Sequence, residues 1–345
     1  MAAGGFKEFV AGEILDEDDI NDYLMQGVLV FAGTAARGSA ITAPVEGQFA
    51  WLNDTDQLTY YSGSAWEPLE TGPKQFDFLV IGGGGGGGDD ASNGGVGGGG
   101  AGGYLCSVTG ENSGGGNSAQ PKMFLSPADT FTVTIGAGGS GAVPSTNGVN
   151  SRFGPIFATG GGRGASQNGG ANAALVGGSG GGGAYNPATG AAGLAGQGFA
   201  GGNGQTSVGA TGGGGGGAGA LGVNATSSPL TGGAGGAGVS SSITGSSVPR
   251  GGGGGAGAGN AQGAGGTGGG GAGTTGTGTA GTVNTGGGGG GGQTAGGAGG
   301  SGVVILKYPD TLTLTVGAGL TSSTSTAGGF KVTSFTAGSD TVTVA

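Results

Sequence analysis

The sequence predicts a mainly β chain with a glycine-rich polyglycine II helix bundle, one short N-terminal α-helix with a small β-meander, and a C-terminal β-hairpin or small sheet. Three observations predict it. Glycine supplies 103 of 345 residues, against an ordinary share of about 7%. The glycine runs are framed by two matching apolar strand signals, "FDFLVI" and "GVVILKY". Away from the glycine, short stretches of β-branched and aromatic residues alternate or cluster between turn-formers.

The first domain is expected over residues 1–72. "LDEDDINDYLM" reads as a short helix: Asp16 can cap its start, Asp19 lies three residues on, and Ile20, Tyr23 and Leu24 share a face. The acids of its first turn also suit the helix dipole. Three strand signals follow, at 48–52, 57–61 and 66–69, separated by "NDTD" and "SGS". A meander of that size is too small to stand alone.

The second domain is expected over 73–309. After "FDFLVI" come "AGGYLCSV", "DTFTVTIGAGGSG" and "NSRFGPIFATGGG", each mixing strand formers with glycine. From about 159 to 302 the strand signals vanish, leaving Gly with Ala, Ser, Thr and Asn, and "GVVILKY" closes the region. The third domain, 310–345, alternates at period two, with "TAGSD" expected as a turn between "KVTSF" and "TVTVA".

Three readings compete for the glycine. A phosphate-binding loop needs Lys-Ser/Thr or a helix after its glycines. Here the run at 82–88 leads instead to "DDASNGG", whose carboxylates would repel phosphate. A flexible linker fits the composition but would seldom return to a strand as well matched as "GVVILKY". Collagen is excluded, because there is no G-X-Y register and only 11 prolines are present. The third reading is a bundle of extended helices with three residues per turn, each satisfying its backbone groups on its neighbours. Only glycine lets backbones approach that closely. The bundle is expected over 159–302.

Composition also narrows the chemistry. With no histidine and a single cysteine, His triads, His metal sites and cysteine zinc sites are excluded. Cys106 reads as a small buried hydrophobe. The net charge of −10, with 9 scattered Lys and Arg, offers no basic face for nucleic acid. No apolar run approaches the roughly 18 residues of a membrane span, and the N-terminus lacks the pattern of a signal peptide. "DEDD" at 16–19 and "NDTD" at 53–56 lack the spacing of a Ca²⁺ loop and are explained as a cap and a turn. No enzyme activity, cofactor or metal is therefore expected. The candidate contact residues lie where larger side chains interrupt the glycine: Tyr185, Asn186, Asn224, Leu230, Ile243 and Arg250. The competing reading is that these are merely turns. Tyr60, Tyr61 and Trp66 could stack on a sugar, with core packing as the alternative.

"FDFLVIGGGGGGG", "FTVTIGAGGSG", "GGSGVVILKY" and "GGFKVTSFTAGSDTVTV" resemble the glycine-rich domain of bacteriophage tail and tail-fibre proteins. The stretch from "FVAGEILDEDDINDYLM" to "YYSGSAWEPL" is similar to N-terminal modules of phage minor tail and fibre proteins. The resemblance implies a virion protein of a tail or fibre, attached to other tail or baseplate proteins through its N-terminal module, and a homo-oligomer is expected. It also implies loops turned toward a receptor on the host cell surface. The alternatives are a purely structural virion component (baseplate decoration or spacer) and an ice-binding polyglycine II protein, which would need a flat face of regular Ala and Thr.

Overall fold

The computed structural model describes residues 28–69, 73–90, 94–142, 144–167, 173–186, 188–206, 211–258 and 261–345. The chain divides into two compact units, Met1–Gly72 and Pro73–Ala345. The helix expected at "LDEDDINDYLM" lies outside the described residues.

In the first unit, β1 (Leu29–Phe31), β2 (Phe49–Leu52), β3 (Gln57–Tyr61) and β4 (Trp66–Pro68) form one sheet in that order. Strands β2, β3 and β4 pair antiparallel, and β1 joins β2 in parallel. The expected three-stranded meander is thus part of a four-stranded mixed sheet. The helix α1 (Thr34–Ala40) makes the crossover that a parallel pair needs. Its short "TAARGSA" carries no helical period, so the sequence did not announce it. Arg37 of α1 is buried, donates from Nη1 to Thr59 Oγ1 at 2.9 Å, and lies 4.5 Å over the Trp66 ring. The Tyr61 and Trp66 rings pack at 5.6 Å.

The second unit is built on a ten-stranded sheet. Its strands are β5 (Lys74–Ile81), β6 (Tyr104–Cys106), β7 (Met123–Leu125), β8 (Thr130–Thr134), β9 (Ser151–Phe153) and β10 (Ile156–Ala158), followed by β15 (Val303–Pro309), β16 (Leu314–Val316), β17 (Leu320–Ala327) and β18 (Phe330–Val344). The two framing strands pair directly, with Ile81 opposite Val303 and Asp77 opposite Lys307. The sheet runs β10-β9-β8-β18-β15-β5-β6 and curls into a nearly closed, barrel-like wall, with β9 and β10 coming back against β5.

Both faces of β5 and β15 are buried, which explains their unbroken apolar runs. Phe76, Phe78, Val80, Val304, Leu306 and Tyr308 join one core with Val133, Phe153 and Phe335. The alternate residues Leu79, Ile81, Val303 and Ile305 point into a second core with Tyr104 and Cys106.

The C-terminal segment is not a separate hairpin. β17 and β18 do pair, but β18 is a central strand of the main sheet. Its first half lies against β15, and residues 339–343 pair with β8. The turn expected at "TAGSD" is absent because the strand runs straight through it. Gly338, at φ +97°, redirects the strand from one set of partners to the other.

Candidate functional site

Glycine segments leave this sheet and return to it. From 82 to 88 each N–H donates to a neighbouring segment, and the neighbours rotate with a period of three. Gly82, Gly85 and Gly88 donate to Gly103, Gly100 and Gly97, at 2.8–3.0 Å. Gly83 and Gly86 donate to Val149 and Thr146, while Gly84 and Gly87 donate to Gly300 and Gly297. The pattern recurs at 288–292: Gly288 and Gly291 donate to Gly252 and Gly255, and Gly289 and Gly292 to Gly85 and Gly88. A backbone that points its donors three ways in turn can be buried without orphaned groups, provided no Cβ stands in the way.

Each segment therefore has a sheet end and a far end. Bridges join the far-end turns to one another: Asp89 to Gly292, Gly292 to Thr274, Val96 to Gly257, Gln205 to Thr211, Thr211 to Ala258, and Thr231 to Ala261. Four of the six expected contact residues sit here. Tyr185, 37% exposed, donates its N–H to Gly95 at 2.8 Å. The Asn186 carbonyl accepts from the Gln167 amide. The exposed Asn224 uses Oδ1 to accept the Asn203 N–H at 2.7 Å. Leu230 lies on β12 (Leu230–Thr231), which pairs with β11 (Thr226–Ser227) as a two-stranded tip.

The other two residues fall at the opposite end, on a hairpin of β13 (Val239–Ser241) and β14 (Val248–Arg250). Ile243 is 1% exposed and belongs to the second core beside Leu79, Ile81 and Ile305. It is a core residue, not a displayed one, because the outer face of β5 and β15 needs an apolar cover. Arg250 is half-buried next to Tyr104. Burial lowers its pKa from the usual arginine value and raises that of the Tyr104 hydroxyl. The hairpin is latched by Glu111, whose Oε1 accepts from the Ser242 N–H at 2.7 Å and the Ser242 hydroxyl at 2.6 Å. Burial alone would raise the Glu111 pKa, but the bonds from Ser241 and Ser242 outweigh it and hold the carboxyl below its usual range. Burial pushes the Cys106 thiol up to about 12.

The far end is almost without displayed charge. Between 164 and 306 the sequence holds only Arg250, which lies at the sheet end, and Asp89 and Asp90 are buried. What the far-end loops offer is hydroxyls, amides and one aromatic ring. Sequence reasoning missed Gln167, Gln205 and Thr211, which tie these loops together, because single polar residues in a glycine background carry no period. Among the described residues, no group of three or more His, Cys, Asp or Glu could hold a metal ion, and no helix is long and apolar enough to cross a membrane.

A mainly β sheet carrying stacked glycine segments defines a glycine-rich scaffold. The family model of the glycine-rich domain matches residues 55–309, and the chain belongs to that family. No curated protein and no solved structure matches it.

Proposed function

We propose that the chain is a non-enzymatic bacteriophage tail or tail-fibre protein, a stiff glycine scaffold that holds its far-end loops toward a receptor on the host surface. The observation that carries this reading is the three-way rotation of glycine hydrogen bonds, which ends in the joined loops around Tyr185, Asn186, Asn224 and Leu230. That rotation is the pattern polyglycine II requires, and we read the glycine segments as such a bundle. Loops fixed on a rigid support are suited to recognition. The phage setting, the attachment of residues 1–72 to other tail or baseplate proteins, and assembly as a homo-oligomer rest on the sequence resemblance.

Phage particles carrying Tyr185→Ala together with a Gly-Ser replacement of 226–230 test the receptor role. Adsorption should fall about tenfold or more while the protein's incorporation into particles stays normal. Normal adsorption by such particles would refute receptor binding and leave the purely structural role.

A second reading, ice binding, is favoured by one observation. Outer segments carry Ala261, Ala264 and Thr267, and Thr279 and Thr282, exposed at every third residue, about 9 Å apart at the rise of a three-fold extended helix. Thermal hysteresis of the purified chain tests it, and its absence removes that reading.

A further inference from the structure

We propose that the outer face of the four-stranded sheet in the first unit packs against the same face of a second copy of this chain. Strand register defines that face. Val30 lies beside Trp51 and Trp51 beside Leu58, while Phe49 lies beside Tyr60 and Tyr60 beside Glu67. The Leu69 N–H donates to the Leu58 carbonyl at 2.7 Å and carries the first row one strand further. Side chains alternate across a strand. Ala50, Leu52, Thr59 and Trp66 therefore point the other way, to the side where Arg37 of α1 reaches Thr59 and Trp66.

The inner side is buried, with Ala50 and Leu52 closed off, but the outer side is open. Val30 is 62% exposed, Phe49 41% and Leu69 36%, with Trp51, Leu58 and Tyr60 half-buried among them. Together these six form an apolar patch on the order of 400 Å², the size at which an exposed patch marks an interaction site. A sheet face meant for water alternates to polar residues. Here the outward positions of β2 and the central ones of β3 are Phe49, Trp51, Leu58 and Tyr60.

Three features point to a second copy as the occupant. The first is shape: small ligands need concave sites that enclose most of their surface, whereas a sheet face is matched by another sheet face, stacked at about 10 Å with its side chains interdigitated. The second is charge. Of the seven outward residues only Glu67 is charged, and it lies on the marginal strand β4 with its Oε2 accepting from the Tyr60 hydroxyl at 3.2 Å. Two copies of a chain with net charge −10 can thus meet at the centre of this face without opposing carboxylates. The third is the placing of bulk. The rings of Phe49, Trp51 and Tyr60 sit on the two central strands and the smaller Val30 on the margin, so a half-turn about an axis through the middle sets rings among rings. Two stacked copies bury roughly twice the patch, below about 1,200 Å² and at the weak end of specific interfaces. This pairing supplies a surface for the homo-oligomer proposed above and rests on that part of the reading alone.

The test uses the full chain in sedimentation equilibrium from about 5 to 500 µM, the range suited to an interface this small. The natural sequence should pass from monomer to dimer with concentration. Val30→Asp and Phe49→Asp should each weaken association about tenfold or more. Thr34→Asp, which puts the same charge on the exposed start of α1 behind the sheet, should leave it unchanged. Melting temperatures at the dilute end should match that of the natural chain, because both face positions are exposed. Cys106, the one cysteine of the sequence, is buried, so an introduced thiol can be addressed alone. A bismaleimide spanning about 10 Å, the spacing of stacked sheets, should join two copies of the Phe49→Cys chain but not of the Thr34→Cys chain. A monomer at every concentration overturns the pairing and the homo-oligomer together. An oligomer that survives both face substitutions, contains other than two copies or is not linked through Phe49→Cys overturns the pairing and leaves the homo-oligomer standing. Neither result touches the receptor role.

Discussion

At Gly99 an added methyl group would lie 2.2 Å from the Gly85 carbonyl oxygen and 2.8 Å from that of Gly86. Both obstacles are backbone, held by their own hydrogen bonds, so neither can swing aside. Gly99→Ala should therefore destabilise the second unit by about 2 kcal/mol or more. At Gly276 nothing lies within 4 Å of the same position, so Gly276→Ala should be neutral or stabilising by up to about 1 kcal/mol. Urea denaturation of the two variants checks the contrast, and equal effects would contradict close backbone packing. A second residue-scale prediction concerns Glu111. Its folded pKa lies below the ordinary 4.5, so at low pH the unfolded chain binds the proton more readily. The contribution is complete above the unfolded value and is lost as pH falls below about 4.5 through the folded pKa. Glu111→Gln should flatten the fall in melting temperature over that acid range.

At the scale of elements, β18 decides more than any other strand. It bridges β8 and β15, so its residues complete the core that contains Phe76, Phe153 and Phe335. A chain ending at residue 309 should lose its cooperative thermal transition for the second unit, whereas an independent C-terminal hairpin would leave that transition intact. Circular dichroism melting distinguishes the two. The strands themselves were largely legible: "FDFLVI", "GVVILKY" and "DTFTVTIG" announced β5, β15 and β8 through their apolar or alternating patterns. The path of β18 was not, because "TAGSD" carries ordinary turn residues. Whether a glycine at positive φ ends a strand or redirects it depends on the partners waiting beyond it, here β8. Ile243 was misread for a related reason. An isolated apolar residue in a glycine background looks displayed until the surface it covers is known.

Over the whole molecule, protection should follow the glycine stack rather than the content of regular sheet. Amides at 82–88, 97–103 and 288–292, each bonded to neighbouring segments, should exchange with deuterium about as slowly as those of β5 and β15. The far-end loops should exchange faster. Rapid exchange throughout 159–302 in the assembled protein would remove the stiff scaffold, and with it the proposed display of loops. The candidate recognition surface was half legible. Tyr185, Asn186, Asn224 and Leu230 stood out as interruptions of glycine, but nothing in their spacing showed that they meet at one end.

By itself the sequence determined the backbone chemistry of this protein. Abundant glycine, scarce charge and a pair of apolar framing strands leave few ways to bury the middle of the chain except backbone against backbone. The tertiary structure alone decided which segments are neighbours, which loops share an end, and that the last strand belongs inside the main sheet. The reason is physical: glycine segments are nearly identical to one another, so their arrangement is chosen by hydrogen bonds between distant residues and by the few larger side chains, such as Ile243 and Tyr104, that must find a core.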